Sequence, residues 1–272
     1  MSEPARGPIE GRTIVITGAA GGIGRALALH AADQGLAVVA ADVNDAGLQD
    51  LGAALEAKGA RYLTRRLDVA DTDAVDAFAK EVFDWSSSVA LVFANAGIMR
   101  MMDGLRPDMK GWAEVIDVNL RGPVNMVHGF MGRLLDQPDW SQFVITGSQA
   151  SFVVAPRMSP YVATKHAMWG LADALRAELA ETDGHVGISL IAPGRVRSGI
   201  TLDRKRMILE AEGAGAAQAY DGALAEPDAV ARLVLEQAIA GQFWIVPSPS
   251  PYADVVRPRF EELLAAEASG QL

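Results

Sequence analysis

Cysteine is absent from this 272-residue chain. That excludes a disulfide framework, a thiol nucleophile and any cysteine-based metal site, and it accords with a reducing compartment, so a cytoplasmic location is the expectation. Histidine is scarce. His30, His128, His166 and His185 are scattered without His-x-x-x-His spacing, which leaves metal chemistry no ligand pattern to rest on. Positive charge is the minority sign: 24 lysines and arginines stand against 34 acids, a formal net charge of −10. That balance argues against nucleic acid or an anionic membrane as partner. No apolar run reaches the length of a membrane span, and residues 1–11 carry no apolar segment of the secretory type. Neither a repeat nor a linker divides the chain, and half its residues are apolar, so a single domain is expected.

What is present is a regular alternation of apolar runs and helical stretches, the pattern of a Rossmann-type, doubly wound parallel α/β sheet. Strands are expected over 13–16, 37–42, 61–67, 89–94, 143–146, 186–191 and 243–246. Helices are expected over 46–58, 72–83, 112–135, 161–180, 227–240 and 252–266. The 112–135 helix should be strained around Gly122-Pro123, because proline lacks an N–H and clashes with the preceding turn. Residues 198–225 give weak strand signals and turn glycine- and alanine-rich; they read as a mobile lid. The core should span about 12–247, with a C-terminal extension over 248–272.

The first strand runs into Thr17-Gly-Ala-Ala-Gly-Gly-Ile-Gly24, with glycines at Gly18, Gly22 and Gly24. Glycine lets a backbone turn sharply and approach a ligand closely, and the N–H groups of the following helix favour an anion such as a pyrophosphate. The spacing is neither Gly-x-Gly-x-x-Gly nor a P-loop. Such turns also occur without a ligand. Asp42 is the second clue: it closes the apolar run Ala37–Asp42 about twenty residues past the glycines, where a carboxylate accepts from an adenosine ribose diol. It would repel a 2′-phosphate, and neither Gly21 nor Val43 offers a cation to offset that; NAD is therefore favoured over NADP. The competing role for Asp42 is a helix cap, which Asn44 or Asp45 can fill instead.

Tyr161 and Lys165 are spaced to share one helix face. A nearby ammonium favours phenolate and draws the phenol's pKa down from about 10, so such a tyrosine serves as base for an alcohol or acid for a ketone. Tyr-x-x-x-Lys is also common on surface helices. Ser148 lies just past the strand ending at Thr146, at a carboxyl end where ligands bind, and its hydroxyl suits a substrate oxygen; its competing role is a turn serine.

These motifs, in this order, resemble the short-chain dehydrogenase/reductase family over about Arg12 to Val246. Thr17–Gly24 matches the cofactor turn, with the pyrophosphate over Gly18 to Ile23. Asp68-Val69 matches the pair whose acid meets the adenine amine. Asn95-Ala96-Gly97 matches the segment steadying the sheet beside the cofactor, although Ala94 replaces the more usual first asparagine. Ser148, Tyr161 and Lys165 match three catalytic positions and Asn119 the fourth. Pro193-Gly194 matches the turn passing the nicotinamide, Val196 the residue whose amide meets the carboxamide, and Ser198 a position often held by threonine.

The resemblance implies that Lys165 also reaches the nicotinamide ribose, that Tyr161 moves the proton while a hydride passes, and that Asn119 holds a water relaying protons from Lys165. It further implies a homo-oligomer, dimer or tetramer. The substrate should be a small alcohol or ketone, apolar or ring-containing, in a pocket lined by residues from 98–102, 149–154, Met158 and 199–220. Arg100, Arg157, Arg195 and Arg197 are the cations near these segments, with no inward direction evident. Two other classes compete: a non-catalytic NAD-sensing protein on the same scaffold, and a lyase or epimerase using NAD transiently.

Overall fold

Both faces of the central strands are apolar, as a sheet covered by helices on each side requires. The computed structural model describes residues 8–247 and 252–268. Its sheet is seven-stranded and parallel, in the order β3 (Tyr62–Arg66), β2 (Ala37–Asp42), β1 (Thr13–Thr17), β4 (Val89–Ala94), β5 (Ser141–Thr146), β6 (Val186–Ile191) and β7 (Trp244–Ile245). Side chains alternate between two cores. Ile14, Ile16, Val38, Leu91 and Phe93 pack against α1 (Gly22–Asp33), α2 (Asp45–Ala57) and α9 (Pro227–Ile239). Val15, Val39, Val92, Phe143 and Ile145 pack against α3 (Thr72–Trp85), α5 (Gly122–Asp136) and α6 (Ser159–Leu179). Each such side chain contributes roughly 1.5–3 kcal/mol on full burial.

The strand order reverses between β1 and β4, which opens a crevice outside their carboxyl ends. The turns after β1, β4, β5 and β6 all deliver their residues there.

Two segments differ from expectation. The helix expected over 112–135 starts earlier, as α4 (Met109–Ile116), passes through a π-helical turn at Asp117–Arg121, and resumes as α5. Pro123 cannot donate to the Asn119 carbonyl four residues back, and its ring crowds that carbonyl; the wider turn relieves the clash, so the irregularity falls before Gly122 rather than around it. Residues 198–225, where no helix was expected, form two helices, α7 (Gly199–Glu212) and α8 (Ala214–Gly222). Ser198 starts α7, its backbone N–H donating to Thr201 Oγ1 at 2.8 Å.

In the C-terminal extension, α10 (Tyr252–Ala268) returns to the body, where Phe260 meets Trp169 edge-on at 6.1 Å. Residues 1–7, 248–251 and 269–272 lie outside the described residues. Among the described residues no helix is long and apolar enough to cross a membrane.

Candidate active site

The crevice is framed by a buried knot of backbone and side-chain bonds. Thr17 Oγ1 donates to the Phe93 carbonyl at 3.1 Å and accepts from the N–H groups of Asn95 (3.0 Å) and Ala96 (3.1 Å). Asn95 Nδ2 donates to the Thr17 carbonyl at 2.9 Å, and its Oδ1 accepts from Thr146 Oγ1 at 3.3 Å. The ends of β1, β4 and β5 are thereby tied together.

Gly18 turns the chain at φ +67°, and a Cβ there would lie 2.9 Å from Ala96 Cα. At Gly24 a Cβ would lie 2.2 Å from the Gly18 carbonyl oxygen, so only glycine lets α1 start this close to the turn. The helix begins at N-cap Gly21 with no side-chain cap and no acid in its first turn, leaving its leading N–H groups to an anion. That donor set fits a dinucleotide pyrophosphate.

Asp42 is not a helix cap. Asn44 takes that role, its Oδ1 accepting from Gly47 N at 3.1 Å. Nor does the Asp42 carboxylate stand free: Oδ2 accepts from Ala20 N at 2.9 Å and Oδ1 from Asn44 N at 3.0 Å, locking it to the glycine turn. Arg66, its register partner on β3, points to Asp45 at 3.4 Å.

Lys165 is buried, and its Nζ donates to the Thr146 carbonyl at 2.7 Å. The ammonium lies over the Tyr161 ring, 5.7 Å from its centre. Burial pulls the Lys165 pKa down to about 8. Burial pushes the Tyr161 phenol above its ordinary value, opposed by the Ser148 hydrogen bond, while nearby Tyr220 adds to the rise. The lowering expected from Lys165 is thus not what sets this phenol in the unliganded chain, because the ammonium is spent on a carbonyl and is itself penalised by burial. Ser148 Oγ also accepts from Ala150 N at 3.1 Å.

The Asn119 side chain is bonded to backbone. Oδ1 accepts from Ile98 N and Nδ2 donates to Ile98 O, each at 2.8 Å, so the amide grips the segment that follows β4. A Cβ on Gly97 would fall 3.3 Å from Asn119 Oδ1 and 3.6 Å from Lys165 Nζ.

A cleft of about 270 Å³ brings together Gly18, Gly22, Ile23, Asp42, Asn95, Gly97, Ser148, Tyr161, Lys165, Pro193, Gly194, Val196 and Ser198. Gly24, Asp68, Val69, Ala96 and Asn119 do not line it. Asp68 is exposed, accepting from Ala70 N at 2.9 Å, and Val69 is buried with its carbonyl on Asn125 Nδ2 at 2.8 Å. Sequence reasoning missed Thr146 and Gly147, which also line the cleft, as does Thr201 from the expected substrate segment 199–220; the Thr146 carbonyl was unreadable because backbone acceptors leave no signature in residue type.

A second cavity of about 330 Å³ opens from Ser148 and Tyr161. Met99, Gln149, Ala150, Val153, Val154, Met158, Ile200, Thr201 and Tyr220 line it, whereas Met101, Met102 and Phe152 do not. Phe152 instead stacks with Trp169 at 5.1 Å. Arg195 and Arg204 also line this cavity; of the four arginines whose direction the sequence left open, Arg195 is the one found there.

A family model for short chain dehydrogenases matches residues 12–208. The chain belongs to the short-chain dehydrogenase/reductase family. It is 34% identical over 190 residues to the 1-deoxy-11-beta-hydroxypentalenate dehydrogenase of Streptomyces exfoliatus, covering 69% of this chain and 68% of that one. A Burkholderia phymatum short chain dehydrogenase/reductase, solved in complex with NAD, superposes with a TM-score of 0.85 at 32% identity over 95% of this chain and 96% of that one. A Beutenbergia cavernae structure with bound NADP matches with a TM-score of 0.77 at 28% identity, over 89% and 98%. This short-chain dehydrogenase is therefore an oxidoreductase of a family whose structures hold either nucleotide.

Proposed function

We propose that this short-chain dehydrogenase uses NAD to interconvert a secondary alcohol and its ketone, on a substrate with an apolar or ring-containing body. The observation that carries the proposal is one continuous cleft with a locked Asp42 carboxylate at one end and the Ser148, Tyr161 and Lys165 cluster at the other. Bound NAD supplies the hydride acceptor for the carbinol carbon, and NADH the donor in reverse. The chain's own residues do the rest. Leading N–H groups of α1 receive the pyrophosphate, and Asp42 receives the ribose diol while repelling a 2′-phosphate.

Ser148 orients the substrate oxygen, and Tyr161, bonded to Ser148, exchanges the proton with it. Because burial keeps the phenol protonated at neutral pH, ketone reduction draws directly on its proton, whereas alcohol oxidation needs the phenolate. Oxidation should therefore speed up as pH rises above 7, and reduction should not. Lys165, with a pKa of about 8, still carries mostly positive charge at neutral pH, 5.7 Å from the Tyr161 ring centre. Asn119 holds the Ile98 backbone, in the segment that follows β4.

A panel of secondary alcohols and ketones followed at the NADH absorbance band, with NAD and NADP in parallel, tests this. Turnover with NAD should exceed that with NADP by about tenfold or more in kcat/KM, the equivalent of one unfavourable charge contact of about 1.4 kcal/mol. Preference for NADP overturns the role given to Asp42. Cofactor binding without turnover of any alcohol or ketone would return the chain to a sensing role.

A further inference from the structure

We propose that the substrate carries a carboxylate, held between Arg195 and Arg204 in the second cavity. The inference deepens the oxidoreductase proposal and rests on it for the identity of the cavity as the substrate site. Arg195 comes from the turn after β6 and Arg204 from α7; their guanidinium carbons lie 5.7 Å and 5.6 Å from the Tyr220 ring centre. Both line the cavity that also contains Ser148 and Tyr161.

Two acids at this end of the fold are paired with other cations. Asp221 pairs with Arg197 at 2.8 Å and Lys205 at 3.1 Å, and Glu226 pairs with Arg197 at 3.1 Å. Among the described residues no carboxylate pairs with Arg195 or Arg204. Arg204 Nη1 donates to Met158 Sδ at 3.2 Å, a weak acceptor. Burial pushes the Tyr220 phenol up, against the pull of both arginines, so it stays neutral and offers them no counter-charge.

Two guanidiniums without an acid, in a chain of net charge −10 and beside Met99, Val153, Val154 and Met158, make a local positive site in an apolar chamber. Stacking on Tyr220 uses ring faces only and leaves the N–H forks, whose geometry matches a carboxylate. The chamber is at the small end for ligand sites, which suits a compact hydroxy or keto acid.

Calorimetric titration with cyclohexanecarboxylate and its methyl ester, on the protein alone and loaded with NADH, reads the anion site without turnover. The acid should bind about tenfold tighter than the ester or better, since a charge-assisted hydrogen bond is worth at least that factor. Arg195→Met and Arg204→Met should each cut the acid-to-ester ratio by about tenfold, and Arg204→Lys should restore part of it. Equal binding of acid and ester, absent binding of both, or variants that weaken both by one factor would overturn the proposal in favour of packing on Tyr220. Thermal melts of the variants identify misfolding, and in that case Arg204→Lys carries the test.

Assay of 3-hydroxycyclohexanecarboxylate with NAD separates the two levels. If the acid binds preferentially yet neither it nor any panel alcohol is oxidised, the oxidoreductase proposal fails and the anion site stands. If panel alcohols turn over without an acid preference, the anion site alone fails.

Discussion

At the carboxyl ends of β1, β4 and β5, Thr17, Asn95 and Thr146 exchange short hydrogen bonds inside a largely buried frame. Over the same cleft, α7 leaves Leu202 (48%), Met207 (43%) and Leu209 (48%) about half exposed. The lid is pinned instead by surface ion pairs of Arg197 and Lys205 with Asp221, which water screens and which therefore hold it only weakly. Floor and lid thus divide the work. Buried, directional bonds fix the end of the cleft to which the proposal assigns proton and hydride transfer, and the weakly buried helices are where local opening is expected. Changes in the floor should therefore be costly, and equivalent changes in the lid mild.

The largest expected effect is on chemistry. Tyr161→Phe keeps the ring on α6 but removes the proton carrier, and kcat should fall by about 10²- to 10⁴-fold with NADH binding retained, as fluorescence titration can check. Undiminished turnover would mean that the floor does not carry the reaction. Next comes Gly24→Ala, which puts a Cβ 2.2 Å from the Gly18 carbonyl. Backbone has to move to admit it, and the loss of stability should be about 3 kcal/mol, read as a large drop in denaturant midpoint.

Lys165 gives an effect of similar size with a defined pH window. Its folded pKa of about 8 lies below its ordinary 10.5, so between those values the unfolded chain binds more protons than the folded one. Stability from this group therefore rises with pH across the window, by up to about 3 kcal/mol. The difference between wild type and Lys165→Met, measured by urea unfolding from pH 7 to 10.5, should show that rise. A flat difference would mean that the ammonium is better solvated than its burial against Thr146 implies.

The floor was largely legible before the fold was known, and the lid was not. Strand spans such as 37–42 and 186–191 coincide with β2 and β6, because continuous apolar runs bounded by turn residues have few alternatives. Motif glycines and the Tyr161–Lys165 pair announce themselves by type and spacing. The π-helical turn at Asp117–Arg121 did not, since Pro123 signals a clash but not how the chain relieves it. Helix α7 lacks an apolar stripe and buries little beyond Thr201, so periodicity had nothing to register. The inward turn of Arg195 and Arg204, and the commitment of Lys165 to a backbone carbonyl, depend on contacts between segments distant in the chain.

The smallest expected effect sharpens the contrast most directly, because it repeats the glycine-to-alanine change on the other side of the cleft. Gly215 lies in the first turn of α8, and a Cβ there would meet nothing within 4 Å. Alanine restricts the unfolded chain and favours the helix, so Gly215→Ala should stabilise by up to about 1 kcal/mol, opposite in sign to Gly24→Ala. The two substitutions are chemically identical, which leaves the surroundings as the cause of any difference. If Gly215→Ala were instead as damaging as Gly24→Ala, the lid would have to be packed as tightly as the floor, and its opening could no longer be assigned to weak burial.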